Sequence, residues 1–313
     1  MIWANLLHLS FNMWGDRDDP DNGDRPIVAL PHLRFDESLW NDLLARMAGS
    51  GFNMVVLDLG DAVQYQSHPE ISLKDAWSPD KLRAELAKMR ALGLEPIPKL
   101  NFSTAHDIWL GEYSRMVSTP TYYRVVRDLI REVCALFDTP RLFHLGMDEE
   151  TASHQRRFAY AVMRQHDLWR HDLFHMVAAV EDSGVRAWVW SDYAWHHPEE
   201  FYRQMPKSVL QSNWFYDTAF EGFPEGHKNV IRVQTYRDLE AHGYDQVPTG
   251  SNYENDVNME ATVEFCTANV APERLKGFLV TPWHPTLESS REHHLRAVEQ
   301  LGRSIAAHAP AGG

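Results

Sequence analysis

The chain has 313 residues, 44% of them hydrophobic, which is enough for one large core. A formal net charge of −14, without any block rich in lysine or arginine, argues against nucleic acid and anionic membrane surfaces as partners and favours a small neutral or cationic ligand. The two cysteines argue against a disulfide framework. The lack of an apolar run near roughly 18 residues or of a secretory signal predicts a cytoplasmic protein, or one whose signal has already been removed.

Short apolar runs alternate with amphipathic stretches along the chain. The runs predict eight strands, at Trp3 to Leu9, Met54 to Leu59, Glu95 to Leu100, Leu142 to Gly146, Ala187 to Ser191, Val209 to Ser212, Gln246 to Gly250 and Phe278 to Thr281. Apolar residues three or four positions apart, as from Leu39 to Met47, predict helices between the strands. This alternation indicates a parallel sheet, and a single-domain (β/α)8 TIM barrel over residues 1–305 accounts for the strand count.

Three segments fit this count less directly. A ninth apolar run, Val230 to Val233, is either an excursion or a strand that displaces one of the eight. Asp16 to Asp24 is predicted to be a polar loop after the first strand, and residues 306–313 a flexible tail. A doubly wound sheet is the alternative fold, but no phosphate-binding glycine motif follows any strand.

The fourth predicted strand runs through Gly146 directly into three carboxylates, Asp148, Glu149 and Glu150. Like charges this close raise the pKa of their neighbours. Two adjacent acids whose surroundings separate their pKa values give a site one proton donor and one lasting anion. The structural alternative is that one or two of these acids cap a helix that begins near Thr151 to Ser153.

Polar and aromatic side chains follow nearly every predicted strand. Because a TIM barrel carries its site at the carboxyl ends of its strands, these residues predict one pocket. Their mixture suits a carbohydrate, since a sugar ring packs on the face of an indole. The candidate substrate-binding residues are Asp58, Asp61, Lys99, Asn101, His106, His144, Trp190, Asp192, Trp214, Tyr253, Glu254 and Trp283, around the candidate catalytic pair Asp148 and Glu149.

The run of His144, Gly146, Asp148 and Glu149 resembles the His-x-Gly-x-Asp-Glu signature of the β-N-acetylhexosaminidases of glycoside hydrolase family 20. The resemblance continues in the same order along most of the chain. Similar segments are Ser50 to Asp58 for the family's second strand, His68 to Ile71 for its Tyr-Pro-Glu segment, Leu92 to Asn101 with His106 for its third strand, and Trp190, Trp214, Tyr253 and Trp283 for its aromatic walls.

The sequence also departs from the family pattern. Lys99 stands where the family usually has Glu, and Asn101 where it has Asp. Met147 replaces a small residue, and His284 follows the last tryptophan where Glu is frequent. No segment of this sequence corresponds to the family's additional N-terminal α/β domain. These changes leave the acid pair intact and alter its surroundings, so the resemblance implies a divergent relative.

The mechanism that the resemblance implies is substrate-assisted retention of configuration. Glu149 would protonate the glycosidic oxygen and later deprotonate water, while Asp148 would stay ionised and orient the 2-acetamido group of the substrate. Tyr253 would donate its hydroxyl to the acetamido oxygen. His106 and His144 would hold the acids through hydrogen bonds, or serve as plain structural histidines.

Two other readings remain open at this point. A conventional retaining glycosidase would use Glu149 as acid and base and either Asp192 or Glu254 as nucleophile, with the carboxyl groups about 5 to 5.5 Å apart. A non-catalytic sugar-binding barrel would follow if Lys99 neutralised the site and held Glu149 ionised. We expect neither a metal nor a cofactor, because the histidine doublets His196-His197 and His293-His294 lack the spacing of known metal motifs.

Overall fold

The computed structural model describes residues 1–17 and 27–308, and within these residues it contains an eight-stranded parallel barrel. The strands are β1 (Ile2–His8), β2 (Met54–Asp58), β3 (Glu95–Lys99), β4 (Leu142–His144), β5 (Arg186–Trp190), β6 (Leu210–Ser212), β7 (Thr249–Gly250) and β8 (Gly277–Val280). Neighbours follow the order β6-β5-β4-β3-β2-β1-β8-β7, and isolated parallel bridges such as Gln211 to Gln246 join β6 to the β7 segment. The predicted (β/α)8 barrel is confirmed.

Helices cover the outside of the barrel. They are α1 (Glu37–Gly49), α2 (Pro79–Ala91), α3 (Pro120–Leu136), α4 (Asp167–Glu181), α5 (Tyr193–His196), α6 (Pro198–Gln204), α7 (Lys228–Ala241), α8 (Asn258–Asn269) and α9 (Arg291–His308). Local sequence fixes several starts: the Asp36 side chain accepts from two backbone N–H groups of α1, and Ser78 and Thr119 cap α2 and α3 just before a proline. None of the described helices combines the length and apolar character needed to cross a bilayer.

The structure corrects two sequence expectations. Val230 to Val233 belongs to α7, because Val233, Tyr236 and Leu239 form one buried helical face. No helix begins near Thr151; residues 151–166 form an irregular loop, and α4 starts only at Asp167. The last helix extends to His308 and includes the first three residues of the predicted tail.

Residues 309–313 of that tail, and 18–26 of the predicted polar loop, lie outside the described residues. The domain boundary at residue 305 therefore stays a prediction.

Alternation along the strands divides the core into two parts. Successive side chains of a strand point to opposite faces, so every second residue enters the barrel and the others meet the helices. On β1, Leu6 points inward, while Leu7 packs in the outer core with residues of α1. The inner cluster consists of Ile2, Ala4, Leu6, Met54, Val56, Ile97, Leu142, Trp188, Trp190, Leu210, Val247 and Leu279. This apolar plug supports whatever lies at the carboxyl ends of the strands.

A polar layer lies directly above the plug. The strand register pairs His8 with Asp58, Asp58 with Lys99 and Lys99 with His144 across β1 to β4. Lys99 Nζ donates to Asp58 Oδ2, and both side chains are buried. Burial together with the positive charge of Lys99 lowers the pKa of His8 and of His144 well below its usual range, so both imidazoles are neutral. Lys99 therefore neutralises the Asp58 carboxylate inside the barrel.

We expect Lys99→Met to destabilise the protein, because it leaves the buried Asp58 carboxylate without its cation. The loss should be about 3 to 5 kcal/mol in the free energy of unfolding, measured by urea denaturation. The double variant Asp58→Asn with Lys99→Met removes both charges and should recover most of that loss. If Lys99→Met alone is as stable as the wild type, the ion pair is not what holds this layer together.

Candidate active site

A cavity of about 450 Å³ opens at the carboxyl ends of the strands. A volume of this size is typical of small-molecule sites. Eight of the sequence-predicted site residues line it, and they come from the ends of β3, β4, β5, β6, β7 and β8. These residues are His106, Asp148, Glu149, Trp190, Trp214, Tyr253, Glu254 and Trp283. The predicted convergence of strand ends on one pocket thus holds for these eight.

An unusual backbone turn brings the two acids to this cavity. Gly146, Met147 and Glu149 have φ of 73°, 77° and 57°, a left-handed conformation that costs energy for the two residues with side chains. Gly146 is required, because a Cβ there would lie 1.9 Å from Asn101 Oδ1. His144 Nδ1 accepts the Gly146 N–H at 3.0 Å and so fixes the start of the turn. Strained backbone of this kind concentrates at functional sites.

Two histidines hold the acid pair. His106 Nε2 lies 3.3 Å from Asp148 Oδ2 and 3.2 Å from Glu149 Oε2, so one imidazole bridges both carboxylates. His154, from the irregular loop, places its Nε2 3.3 Å from the other Glu149 oxygen. Asn101 Nδ2 donates to Asp148 Oδ1 at 2.9 Å. The Asn101 side chain, which replaces the family's usual acid, therefore contacts one of the candidate catalytic residues directly.

The charges of this cluster favour an ionised acid pair and a protonated histidine. Burial works against the imidazolium of His106, but Asp148 and Glu149 outweigh it and raise its pKa to about 10. Burial likewise opposes ionisation of Asp148, yet His106 holds the pKa of that carboxyl below its usual range. The pKa of Glu149 is lowered as well, because hydrogen bonds from His106 and His154 exceed the effect of burial.

Glu150, the third acid of the run, has a structural role. Its carboxylate accepts from Arg164 at 2.8 Å and from the backbone N–H of Thr104 at 3.2 Å, away from the cavity. Arg164 is itself buried and also donates to Asp172 at 2.8 Å. The structural alternative, in which an acid of the run caps a helix, is wrong, because no helix follows and Glu150 instead binds a buried arginine.

Asp192 lies beneath the acid pair. Its Oδ2 accepts the backbone N–H of Glu149 at 2.8 Å, and the side chain is buried and does not line the cavity. Burial raises the pKa of Asp192 to about 7, and the negative charge of Asp148 adds to the effect. A carboxyl that is partly protonated near neutral pH and hydrogen-bonded to the backbone is placed to support Glu149 and poorly placed to attack a sugar.

Six predicted substrate-binding residues do not line the cavity: Asp58, Asp61, Lys99, Asn101, His144 and Asp192. These six side chains lie below the cavity and support the residues that line it. Asp61 accepts from Ser10 Oγ at 2.5 Å and from Asn12 Nδ2 at 2.9 Å, which ties the segment after β1 to the end of β2. His144 packs between Trp188 and Trp190, with ring centroids 4.9 and 4.4 Å away.

Sequence reasoning missed several residues that line the cavity. Phe11 and Trp14 follow β1, the one strand end that the candidate set left out, and Trp14 meets Trp283 edge to face at 5.9 Å. Tyr216 follows Trp214, stacks on it at 5.1 Å and accepts from Trp283 Nε1 at 2.9 Å. The sequence could have indicated all three residues, because each lies within a few residues of a strand end.

The loop residues His154 and Arg157 also line the cavity, and no periodic pattern in the sequence marks them.

The acid pair and its histidine could also hold a cation. Donor atoms of His106, Asp148 and Glu149 lie within 4.8 Å of one another. A protonated His106 already supplies one positive charge to this cluster, and a metal ion would have to displace that proton. The expectation that the acids act without a metal therefore stays a prediction.

We expect Asp192→Asn to change how stability depends on pH. The folded-state pKa of about 7 exceeds the usual value of 3.8, so the contribution of Asp192 to stability is present at low pH and is lost as pH rises through about 7. Between pH 5 and pH 8 the wild type should lose about 2 to 3 kcal/mol that Asp192→Asn does not lose.

Chemical denaturation at both pH values measures this difference. Asp182→Asn, on the surface at the end of α4, is the matched control. An equal pH dependence of wild type and Asp192→Asn would show that this carboxyl titrates normally in the folded protein.

No protein-family model matches the chain, and a search of curated proteins finds no match. Solved structures are similar. The chain superimposes on a family 20 exo-β-N-acetylglucosaminidase from Vibrio harveyi, solved with N-acetylglucosamine, with a TM-score of 0.64 and 13% identity over 96% of this chain and 54% of that one. A family 20 β-N-acetylhexosaminidase from Streptomyces coelicolor A3(2) gives a TM-score of 0.65 at 13% identity, covering 96% and 64%.

Dispersin B gives a TM-score of 0.58 at 14% identity, and here the match covers 86% of this chain and 95% of that one. The chain thus spans 54% and 64% of the Vibrio and Streptomyces proteins but nearly the whole of dispersin B. At sequence identities of 13 and 14%, the similarity shows a shared fold and nothing finer. The chain has the (β/α)8 barrel fold of these glycoside hydrolase family 20 structures.

Proposed function

We propose that this protein is a divergent family 20 glycoside hydrolase that cleaves terminal β-linked N-acetylhexosamines with the help of the substrate's own acetamido group. The observation that carries the proposal is the pair of adjacent carboxylates, Asp148 and Glu149, which face one cavity and share one histidine at 3.3 and 3.2 Å. The shared fold and the Asp-Glu signature support it.

Asp148 is suited to the part of the lasting anion. Its pKa is lowered despite burial, and Asn101 donates to Oδ1 while His106 faces Oδ2. An ionised carboxylate held this rigidly orients the acetamido N–H of the substrate and stabilises the positive charge of an oxazolinium intermediate. No protein nucleophile is then required.

Glu149 is suited to proton transfer, although its carboxylate is ionised before the substrate arrives. The proton of the cluster resides on His106, whose Nε2 lies 3.2 Å from Glu149 Oε2. When a sugar displaces water from the pocket and its glycosidic oxygen approaches Glu149, that proton moves along this contact to the carboxylate and then to the leaving group. Three coupled groups thus share one transferable proton.

Aromatic side chains supply the walls for the sugar. The Trp190 and Trp283 rings lie 6.0 Å apart, and Trp283 Nε1 donates to Tyr216, whose ring stacks on Trp214. Tyr253 also lines the cavity, and its hydroxyl would donate to the acetamido oxygen as that atom attacks. Apolar ring faces with a few convergent polar groups are typical of a monosaccharide site.

The conventional two-carboxylate mechanism has one remaining candidate. Asp192 is buried and bonded to the Glu149 backbone, which leaves Glu254, an exposed residue on the cavity wall. A non-catalytic sugar-binding barrel has a specific observation in its favour, the lowered pKa of Glu149. The lowered pKa of Glu149 is caused by His106 and His154. The sequence had suggested Lys99 as the cause, but the Lys99 ammonium pairs with Asp58.

We expect Glu149→Gln to lose activity in a way that depends on the leaving group. A glycoside with a poor leaving group needs the proton and should lose about 10²- to 10⁴-fold in kcat/KM, while an activated dinitrophenyl glycoside should lose about tenfold or less. Steady-state kinetics with a series of aryl N-acetyl-β-glucosaminides measures this.

Glu254→Gln is the matched variant, a second carboxylate of the same cavity. It should affect all leaving groups alike and only modestly, because it takes no part in bond cleavage. Loss of all activity in Glu254→Gln, or equal losses for every leaving group in Glu149→Gln, would contradict the assignment.

A further inference from the structure

The histidine doublet His196-His197 has no further histidine at metal-binding spacing in the sequence, but the fold supplies one. His197 lies between α5 and α6, and Glu200 follows it in the first turn of α6. His166, the residue just before α4, comes to the same place from the end of the loop that follows β4. Donor atoms of His166, His197 and Glu200 all lie within 4.8 Å of one another.

The spacing of these donors suits a tetrahedral metal ion. His166 Nδ1 lies 3.1 Å from Glu200 Oε2, and the His166 and His197 rings are 4.8 Å apart at an interplanar angle of 75°. A metal–ligand distance of about 2.0 to 2.1 Å places neighbouring donors of a tetrahedral site roughly 3.3 Å apart. Two imidazoles that meet at a steep angle beside a carboxylate oxygen can converge on one ion with small side-chain rotations.

Surrounding groups hold the three side chains in position. Arg170 Nη1 donates to Glu200 Oε1 at 3.2 Å, which leaves Oε2 toward His166. The Tyr193 ring stacks on His197 at 4.5 Å, and its hydroxyl accepts the backbone N–H of His166 at 2.8 Å. His166 itself has a φ of 52°, an unfavourable conformation that the surroundings maintain. Outer partners of this kind orient the ligands of metal sites.

The charges near the cluster are compatible with a cation. Arg170 is a competing positive charge, because its Nη1 contacts Glu200, and Asp167 Oδ1 offsets it at 2.7 Å. The side chain of His166 is 61% exposed, so an ion can enter from solvent.

We propose that His166, His197 and Glu200 form a binding site for a divalent transition-metal ion of the zinc type, with solvent in the remaining coordination position. Two imidazoles and one carboxylate are a donor set that Zn²⁺ accepts and that Mg²⁺ and Ca²⁺ do not prefer. The site is separate from the acid pair and does not depend on the proposed glycosidase function.

The position of this site gives the ion a structural task. The loop after β4 begins at the acid pair and ends at His166, while His197 and Glu200 belong to the segment after β5, which carries Asp192. A bound ion would cross-link these two segments on the cavity side of the barrel. Because the ion binds the folded state, it should raise the melting temperature.

The test is titration of chelator-treated protein with Zn²⁺ in a calorimeter and with Co²⁺ by visible absorption, together with melting temperatures with and without Zn²⁺. His166→Asn removes one imidazole and keeps a residue that tolerates positive φ. His197→Ala removes the other. His32→Asn, at an exposed histidine elsewhere, is the matched control, and Glu149→Gln tests the second cluster of donors at the acid pair.

We expect one ion per chain, a Co²⁺ ligand-field band, and a Zn²⁺-dependent rise in melting temperature. His166→Asn and His197→Ala should each weaken binding about tenfold or more and abolish the rise, while His32→Asn and Glu149→Gln bind as the wild type does. If His197→Ala does not fold, His166→Asn carries the test. The proposal is overturned if the wild type shows no saturable binding, if binding survives in His166→Asn, or if only Glu149→Gln loses it.

Discussion

The candidate site depends on the ion pairs and hydrogen bonds that the buried guanidinium of Arg164 makes. The guanidinium is surrounded by the carboxylates of Glu150 and Asp172 and by the backbone carbonyl of Phe102, and no part of the Arg164 side chain is exposed. An arginine buried in this way is stable only if its partners remain in place, since an uncompensated buried charge costs several kcal/mol. The loop from residue 151 to 166 has no regular secondary structure. Arg164 lies near its end and donates to Glu150 just before its start, so this contact holds the two ends together.

The geometry of the acid pair depends on these contacts of Arg164. Glu149 is held from below by Asp192 and from the sides by His106 and His154, and Glu150 next to it is held by Arg164. The strained backbone at Met147 and Glu149 persists because these contacts over-determine it. The result is a rigid cluster in which two carboxylates share one protonated histidine, and rigidity of this kind is what electrostatic stabilisation of a developing charge requires.

Much of the fold could be predicted from the sequence, because strands with apolar runs and helices with a 3.6-residue period carry their own signal. All eight strands occur where these runs lie. The strand-end rule also identified eight residues that line the cavity, out of fourteen candidates. What it could not provide was the side-chain direction: Asp58 and Lys99 alternate into the barrel and neutralise one another, although both stand at strand ends. No helix begins near Thr151; Glu150 instead bonds to Arg164, a partner 14 residues away that no local pattern reveals.

The substrate's own acetamido group is the centre of this account, and a panel of 4-nitrophenyl β-glycosides tests it most directly. The account predicts hydrolysis of the N-acetylglucosaminide or N-acetylgalactosaminide, with kcat/KM at least about 10²-fold above the glucoside and galactoside, because only the former carry the internal nucleophile. Comparable hydrolysis of the plain glycosides would require a protein nucleophile and contradict the assisted mechanism. Tight binding of N-acetylhexosamines without any hydrolysis would make the protein a sugar-binding barrel.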